Sequence, residues 1–384
     1  MHSWVCEKST LYFCSVRKSL VNLDDLTSYF LDGILGGEAV EALTTKLLSA
    51  VNIEKSKLDL AIKNAIAFSD TDFQIPRQPY EGTQPFSDWL APDNLEQEIY
   101  FNFRTQWLQI YCDSRALKDK IIKALSDYHV LDAQQQDQLD KGSQLYVIAS
   151  GEKYIVGDGL SRYEEEVDFD QLCTFFLSRI FRNYYHSLPF EFIFHSAAAR
   201  FCDVDWLMPA TSGSGKSTLV KKLLDEGGYV YTDDNLLLDK NFVPIATQLP
   251  ICVKEGSWEI AGINLGSDTT KMDASNAKVY RRLDGRRFVL DWPDNHENIP
   301  LKPVKKPQII VPEYKAESNF SVKELNLSEK VNYFINSGYI QRDSSNTDLI
   351  PAWVDWLDGL DAHRLRYSHC EQALNWMAKN ATSI

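Results

Sequence analysis

The chain has 384 residues, of which 44% are hydrophobic and 24% charged, and its formal net charge is −14. This length is enough for two or three domains, and the composition is that of a folded globular protein. The negative charge argues against nucleic acid and membrane surfaces as partners, because both are anionic. It leaves a basic peptide open as a partner.

Cysteine usage and hydropathy together predict a cytoplasmic protein. The seven cysteines are odd in number and form no C-x-x-C pair, which fits reduced thiols better than disulfides or structural zinc. No apolar run has the length of a membrane span, and the first residues lack the apolar segment of a signal peptide.

The first predicted unit covers residues 1–70. Residues 10–16 have the composition of a strand, a helix is expected to start at residues 22–25, and apolar spacing predicts two more helices over 38–50 and 55–68. Residues 71–95 contain four prolines and no sustained period, which predicts a linker. We therefore place the second unit at residues 96–384.

The second unit begins with alternating apolar residues. Hairpins are predicted over 98–112 and 144–156, helices over 117–128 and 169–186, and one strand over 190–199. The acidic run 164–166 is typical of a solvated helix start.

A glycine-rich loop follows an apolar stretch that ends at Met208, and a helical pattern follows the loop. Its residues are Ala210, Thr211, Ser212, Gly213, Ser214 and Gly215, and the helix opens with Lys216, Ser217 and Thr218. This order fits the G-x-x-x-x-G-K-[ST] phosphate loop, with Ala210 at the first glycine position. Backbone N–H groups would hold phosphates, Lys216 would reach the β- and γ-phosphates, and Ser217 would bind Mg²⁺. The alternative is a glycine-rich turn before a surface helix.

Two adjacent carboxylates, Asp233 and Asp234, follow a β-rich run at residues 229–232. Alone, such a pair is more often a turn. Beside a phosphate loop, one carboxylate can hold Mg²⁺ and the other can accept the proton of an attacking hydroxyl. We assign Asp234 to the metal with Ser217 and Asp233 to the proton, and because adjacent carboxylates titrate together the division of roles stays open.

This segment resembles the catalytic domain of HPr kinase/phosphorylase, and more closely the HPr-kinase-related kinases of peptide-modifying systems. In the family the Asp pair lies seventeen and eighteen residues after the loop lysine, as Asp233 and Asp234 do after Lys216. A histidine precedes the loop, where this chain has His195 in FHSAAA. The segments QLPICVKEGSWEI (248–260) and LDAHRLRYSHCEQALNWM (360–377) also resemble the subgroup, so the similarity covers roughly residues 95–384.

The resemblance implies an α/β fold with a P-loop kinase core of HPr kinase / phosphoenolpyruvate-carboxykinase type. It implies a place for His195 near the γ-phosphate; a histidine in the core, bonded to backbone, is the alternative. Lys254 is a candidate phosphate clamp and Glu255 a candidate second Mg²⁺ ligand, or the two form a surface ion pair. Residues 281–282 and 286–287 are two pairs of arginines. Either pair is a candidate to neutralise phosphate charge, and one arginine could do so across a subunit boundary of a homo-oligomer. The alternative is that these arginines are solvated at the surface. The R-G-L-G-I signature linked to phosphorylase activity is absent.

A strand followed by three helices in residues 1–70 resembles the winged-helix-like PqqD fold, which binds a leader peptide at a sheet edge. A lid or dimerisation domain is the alternative. The resemblance thus implies an ATP- and Mg²⁺-dependent kinase that phosphorylates a hydroxyl, serine above all, of a peptide or small protein. A nucleotide-binding scaffold and a kinase of small alcohols are the alternative functions.

Overall fold

The computed structural model describes residues 2–6, 9–14, 19–51, 53–69, 95, 97–104, 106–125, 129–130, 143–158, 161–162, 167–211, 213–263, 279–282, 284–292, 306–341 and 349–381. These residues form a mixed α/β structure with several sheets.

The N-terminal part is an antiparallel sheet of β1 (His2–Cys6), β2 (Ser9–Cys14) and β3 (Ser19–Asp24), followed by α1 (Asp25–Leu35), α2 (Val40–Ala50) and α3 (Lys55–Ser69). The three helices are confirmed, but there are three strands where the sequence predicts one. Residues 22–24 of the expected helix start belong to β3, and the helix begins at Asp25. Asp24 is the cap, because its carboxylate accepts the N–H groups of Leu26 and Thr27. The predicted linker 71–95 lies outside the described residues, apart from Leu95.

A six-stranded sheet opens the second unit, and both predicted hairpins are confirmed in it. Its elements are β4 (Gln97–Phe103), β5 (Gln106–Cys112), α4 (Arg115–Ala124), β6 (His129–Val130), β7 (Ser143–Ser150), β8 (Lys153–Asp158) and β9 (Ser161–Arg162). The strand order is β6-β4-β5-β7-β8-β9. Helix α5 (Phe169–Ser187) begins at a capping box of Asp168 and Gln171 and packs its buried face on this sheet. The acidic run 164–166 lies outside the described residues.

The remaining elements form three more sheets and four helices in the described part of the chain. In order they are β10 (Phe192–Phe194), β11 (Ser196–Phe201), β12 (Val204–Pro209), α6 (Lys216–Asp225), β13 (Tyr229–Thr232), β14 (Leu236–Leu238), β15 (Pro244–Ile245), β16 (Ile251–Lys254), β17 (Val279–Arg281), β18 (Arg287–Asp291), β19 (Gln308–Tyr314), β20 (Ser321–Glu324), α7 (Leu327–Asn336), β21 (Tyr339–Gln341), α8 (Leu349–Asp358), β22 (Ala362–Tyr367) and α9 (Cys370–Ala381).

A mixed six-stranded sheet, in the order β13-β11-β12-β19-β22-β20, is the centre of this part. Strands β12, β19 and β22 run parallel, and their neighbours are antiparallel. A second sheet has the order β15-β14-β10-β21, and a third has the order β16-β18-β17. Apolar side chains of α6 and α9 cover one face of the central sheet, and those of α7 and α8 cover the other.

The predicted single strand 190–199 is two strands in different sheets. Strand β10 pairs with β14 and β21, whereas β11 pairs with β12 and β13, so the chain changes sheet at His195. The backbone N–H of His195 donates to the Gly338 carbonyl, 3.0 Å away. The apolar run is continuous because both strands are buried on both faces, so periodicity could not reveal the break.

The N-terminal strands pack on the central part. The side chain of Leu11 in β2 is 1% exposed and belongs to the same apolar cluster as Val331 of α7 and Val354 of α8. The Trp4 indole N–H donates to Asp355 over 2.7 Å, and the Ser9 hydroxyl bonds that of Ser328 over 3.2 Å. No helix in the described ranges combines the length and the apolar composition that crossing a membrane requires.

We expect Leu11→Ala to lower the free energy of unfolding by about 2–5 kcal/mol, because it removes a buried leucine and leaves a cavity. The control is Val5→Ala in the adjacent strand, where the side chain is 87% exposed and little should change. Urea denaturation measures both. Equal midpoints for the two variants would mean that β2 does not pack against α7 and α8.

Candidate functional site

The loop of residues 210–215, called here the glycine loop, joins β12 to α6. Gly213 and Gly215 have φ angles of +89° and +91°, which residues with a side chain rarely adopt. At Gly215 space is also short, since a Cβ would lie 2.7 Å from the Tyr314 Cβ and 3.1 Å from the Tyr367 hydroxyl oxygen. The backbone therefore turns sharply and enters α6 with its N–H groups at the helix start.

The other loop residues differ in exposure. Ala210 is buried at the end of β12, Thr211 is exposed, and Ser212 lies outside the described residues. The Ser214 carbonyl accepts the N–H of Tyr314 over 2.9 Å, which fastens the loop to the end of β19. The predicted sequence of strand, loop and helix is confirmed.

Lys216, Asp234 and His195 meet at a single oxygen atom. The Lys216 Nζ lies 3.1 Å and the His195 Nδ1 3.2 Å from the Oδ1 of Asp234. The lysine is buried, while the Asp234 side chain is half exposed. Three elements supply these groups: the first turn of α6, the turn after β13, and the junction of β10 and β11.

Charge and burial set the protonation of this cluster. Burial raises the pKa of Asp234, but the Lys216 ammonium, helped by His195 and Lys254, outweighs it, and the pKa lies below its ordinary value. Burial lowers the pKa of His195, against the opposing effect of Asp234. At neutral pH Asp234 is therefore a carboxylate and His195 a neutral imidazole.

Asp233 has a different environment from its neighbour. It is 3% exposed, and its Oδ2 accepts the N–H of Cys252 over 3.1 Å. Burial and the charge of Asp234 raise the pKa of Asp233 to about 6, although Lys216, the Cys252 N–H and the Ser217 hydroxyl act in the opposite direction. The Oδ1 atom of Asp233 accepts no hydrogen bond from any residue that the structure describes.

The adjacent side chains of Lys254 and Glu255 have different surroundings. In β16 the side chains of Ile251 and Val253 are buried in the core, so alternation turns Cys252 and Lys254 toward the Asp pair. Lys254 borders the cavity in front of the glycine loop. Glu255 instead forms a two-pronged ion pair with Arg287 of β18, so the expected second Mg²⁺ ligand is not brought to the other site residues.

The arginine pairs have separate partners. Arg281 lies 3.3 Å from Asp168, Arg286 pairs with Asp284, and Arg287 holds Glu255. Arg282 has only a long contact of 3.9 Å with Asp284 among the ion pairs of the described residues.

A cavity of about 790 Å³ opens in front of the glycine loop. Its walls come from the loop, the first two turns of α6, Tyr314, the junction of β22 with α9, and the residues Lys254, Gly256, Ser257, Glu259 and Ile260. Pockets of roughly 300–1,000 Å³ are the usual size for small ligands and cofactors. Its wall carries both signs of charge, with three lysines and three carboxylates: Lys216, Lys222 and Lys254, and Asp234, Glu259 and Glu371.

The residues present fit a nucleotide-bound Mg²⁺ better than a metal held by protein alone. The described part of the chain has no group of three or more His, Cys, Asp or Glu residues that could hold a metal ion. Mg²⁺ in nucleotide sites takes one or two carboxylates and completes its shell with phosphate oxygens and water. Asp234, Asp233 and the Ser217 hydroxyl are the oxygen groups close enough together for that role.

Sequence reasoning missed Tyr314 and Tyr367, which lie beneath the glycine loop. The Tyr367 hydroxyl is buried and has no hydrogen-bond partner among the described residues, and it borders the cavity. Tyr314 ends β19, which pairs with β12, and Tyr367 ends β22, which pairs with β19. The three strands run parallel, and a ligand in an open α/β sheet binds outside the carboxyl ends of such strands. That rule, applied to the apolar run 309–311, was the available signal for Tyr314.

Comparison of the chain with protein-family models finds no match, and comparison with curated proteins finds none either.

We expect Asp233→Asn to stabilise the protein at pH 7. The pKa of Asp233 in the folded protein, about 6, exceeds the ordinary value of 3.8. The contribution of the protonated side chain to folding stability is therefore fully present below about pH 4 and is lost as pH rises through about 6. At pH 7 a buried carboxylate then costs on the order of 3 kcal/mol, which asparagine avoids.

Thermal denaturation between pH 4 and pH 7.5 measures this effect. The melting temperature of the variant should exceed that of the wild type at pH 7 and approach it at pH 4. Asp119→Asn, on the exposed face of α4, is the control and should match the wild type throughout. A difference independent of pH would contradict the assigned pKa.

Proposed function

We propose that the protein is an ATP- and Mg²⁺-dependent kinase that phosphorylates a hydroxyl group, serine above all, on a peptide or small protein. The observation that carries the proposal is the contact of Lys216 and His195 with one oxygen of Asp234 at the mouth of the glycine loop. Phosphoryl transfer requires a cation at the transferred group, a carboxylate for the metal and a base for the acceptor. These groups lie together here.

The nucleotide would bind in the cavity in front of the glycine loop. The N–H groups of the glycine loop and the start of α6 would hold the β-phosphate, and Lys216 would bridge to the γ-phosphate. Lys254 faces the same space and would neutralise charge on the transferred group. Mg²⁺, bound through Ser217 and Asp234, would neutralise the phosphate oxygens.

The different pKa values of the two aspartates favour the proposed division of roles. Asp234 stays ionised because its pKa is lowered, as a metal ligand must. Asp233, with a pKa of about 6, is a base matched to neutral pH. In the proposed step the acceptor oxygen bonds to the γ-phosphorus, the bond to the β-phosphate oxygen breaks, ADP leaves, and the hydroxyl proton passes to Asp233. His195, whose Nδ1 lies 3.2 Å from an oxygen of the same carboxylate, would hold that carboxylate in place.

The N-terminal sheet supports a peptide as the acceptor. Strand β3 pairs with β2 alone among the described strands, which leaves one edge for an added strand. Extended peptides bind sheet edges through main-chain hydrogen bonds. ATP as the phosphoryl donor favours a cytoplasmic location.

Lys216→Ala should abolish phosphoryl transfer, and Asp233→Asn should lower kcat about a hundredfold or more while MgATP still binds. ATP binding is measured by calorimetry and transfer by γ-³²P incorporation. Lys222→Ala, nearly two turns further along α6, is the control for a lysine that borders the cavity but has no contact with Asp234. Turnover retained in the Lys216 variant would reject the proposal, and ATP binding without transfer in the wild type would favour the scaffold.

The acceptor class is tested with serine-containing peptides, free serine and glycerol as competing acceptors. We expect kcat/KM to be highest for peptides, because a sheet edge adds binding energy that a small alcohol cannot use. Equal values for glycerol and peptides would identify a kinase of small alcohols.

A further inference from the structure

A second pocket, of about 290 Å³, lies against the same pair of aspartates. Asp234 borders both this pocket and the larger cavity, whereas Asp233 borders only the second pocket. None of the described glycine-loop residues contributes to its wall. The aspartates thus separate a space that is in contact with the glycine loop from one that is not.

The wall of this second pocket is largely apolar. Helix α5 contributes Leu177 and Phe181, β18 contributes Phe288 and Leu290, and Leu249 precedes β16. The volume is too small for a nucleotide with its phosphates and is of the size that one or two side chains fill. An apolar wall does not replace the hydration that charged phosphates would lose, and it suits an aliphatic or aromatic side chain.

Asp233 provides the polar floor. Its Oδ2 is fixed by the Cys252 N–H, while its buried Oδ1 accepts no hydrogen bond from the described residues. An unpaired buried acceptor of this kind is costly and gains most from a donor brought by a ligand. A hydroxyl group that enters the second pocket beside Asp233 would supply that donor.

Arg282 provides the charge at the rim. Its side chain is 44% exposed, and its guanidinium is the one cationic group on the described wall of the pocket. A basic residue on the ligand meets repulsion from Arg282 at the rim, although the two carboxylates of the floor would attract one that reached them. An acidic residue can pair with Arg282.

We propose that the second pocket is the acceptor site, and that it selects a serine-containing peptide with an apolar residue next to the serine and an acidic residue beside them. The inference rests on the proposed kinase function. In this arrangement the serine hydroxyl donates to Asp233, the apolar side chain fills the space between α5 and β18, and the carboxylate pairs with Arg282. The nucleotide approaches the same aspartates from the larger cavity.

The test uses a peptide library with a fixed central serine and γ-³²P-labelled ATP, at millimolar peptide concentration. The wild type should favour Leu or Phe at one position next to the serine and Asp or Glu nearby. Ser178→Trp fills the pocket from the exposed face of α5 and should lower kcat/KM for the selected peptide about tenfold or more. Affinity for MgATP should stay within about twofold, since Ser178 does not border the larger cavity.

Two further variants make the test specific. Ser187→Trp places the same side chain at an exposed serine of α5 outside the pocket, and should behave as the wild type. Arg282→Glu should change the preference from acidic to basic residues, a gain that misfolding cannot produce.

Phosphorylation without any apolar preference, or an unchanged kcat/KM in Ser178→Trp, overturns the acceptor site and leaves the kinase proposal standing. Binding of MgATP with no transfer to any peptide overturns both, because the inference depends on transfer. Three results together support the acceptor site: the apolar preference is lost in Ser178→Trp, it is retained in Ser187→Trp, and the charge preference is reversed in Arg282→Glu.

Discussion

The contact of Lys216 and His195 with one oxygen of Asp234 is the constraint on which the site depends. Its three groups come from the start of α6, the turn after β13 and the junction between two sheets. The backbone that carries these groups is held by strands that are buried on both faces. A charged cluster held this way costs little reorganisation when a phosphate arrives, which is the condition for electrostatic catalysis.

The two adjacent aspartates differ in their acidity. Asp234 borders both the cavity in front of the glycine loop and the second pocket, whereas Asp233 is buried and borders the second pocket alone. The lysine keeps the first ionised, and burial raises the pKa of the second. The side chains thus differ in acidity because of their surroundings alone.

Local patterns made the glycine loop, the Asp pair and most helices predictable. The loop needs positive φ angles that glycine supplies, and the helices have buried faces at helical spacing. What the sequence could not show is which strands pair. The break at His195, the orientation of Glu255 toward Arg287, and the pocket between α5 and β18 all follow from strand pairing and packing between distant segments. The extra N-terminal strands β1 and β3 each pair with β2, so their partner in the sheet supplies what local propensity does not.

The packing of β2 on α7 and α8 has a consequence for synthesis. The hydrogen bonds that join these parts span 319 and 351 residues, so the N-terminal strands leave the ribosome long before their partners exist. At about 5–20 residues per second the delay is on the order of tens of seconds. During that time the surface around Leu11 is exposed to water and to chaperones, so the first element made is among the last to find its final neighbours.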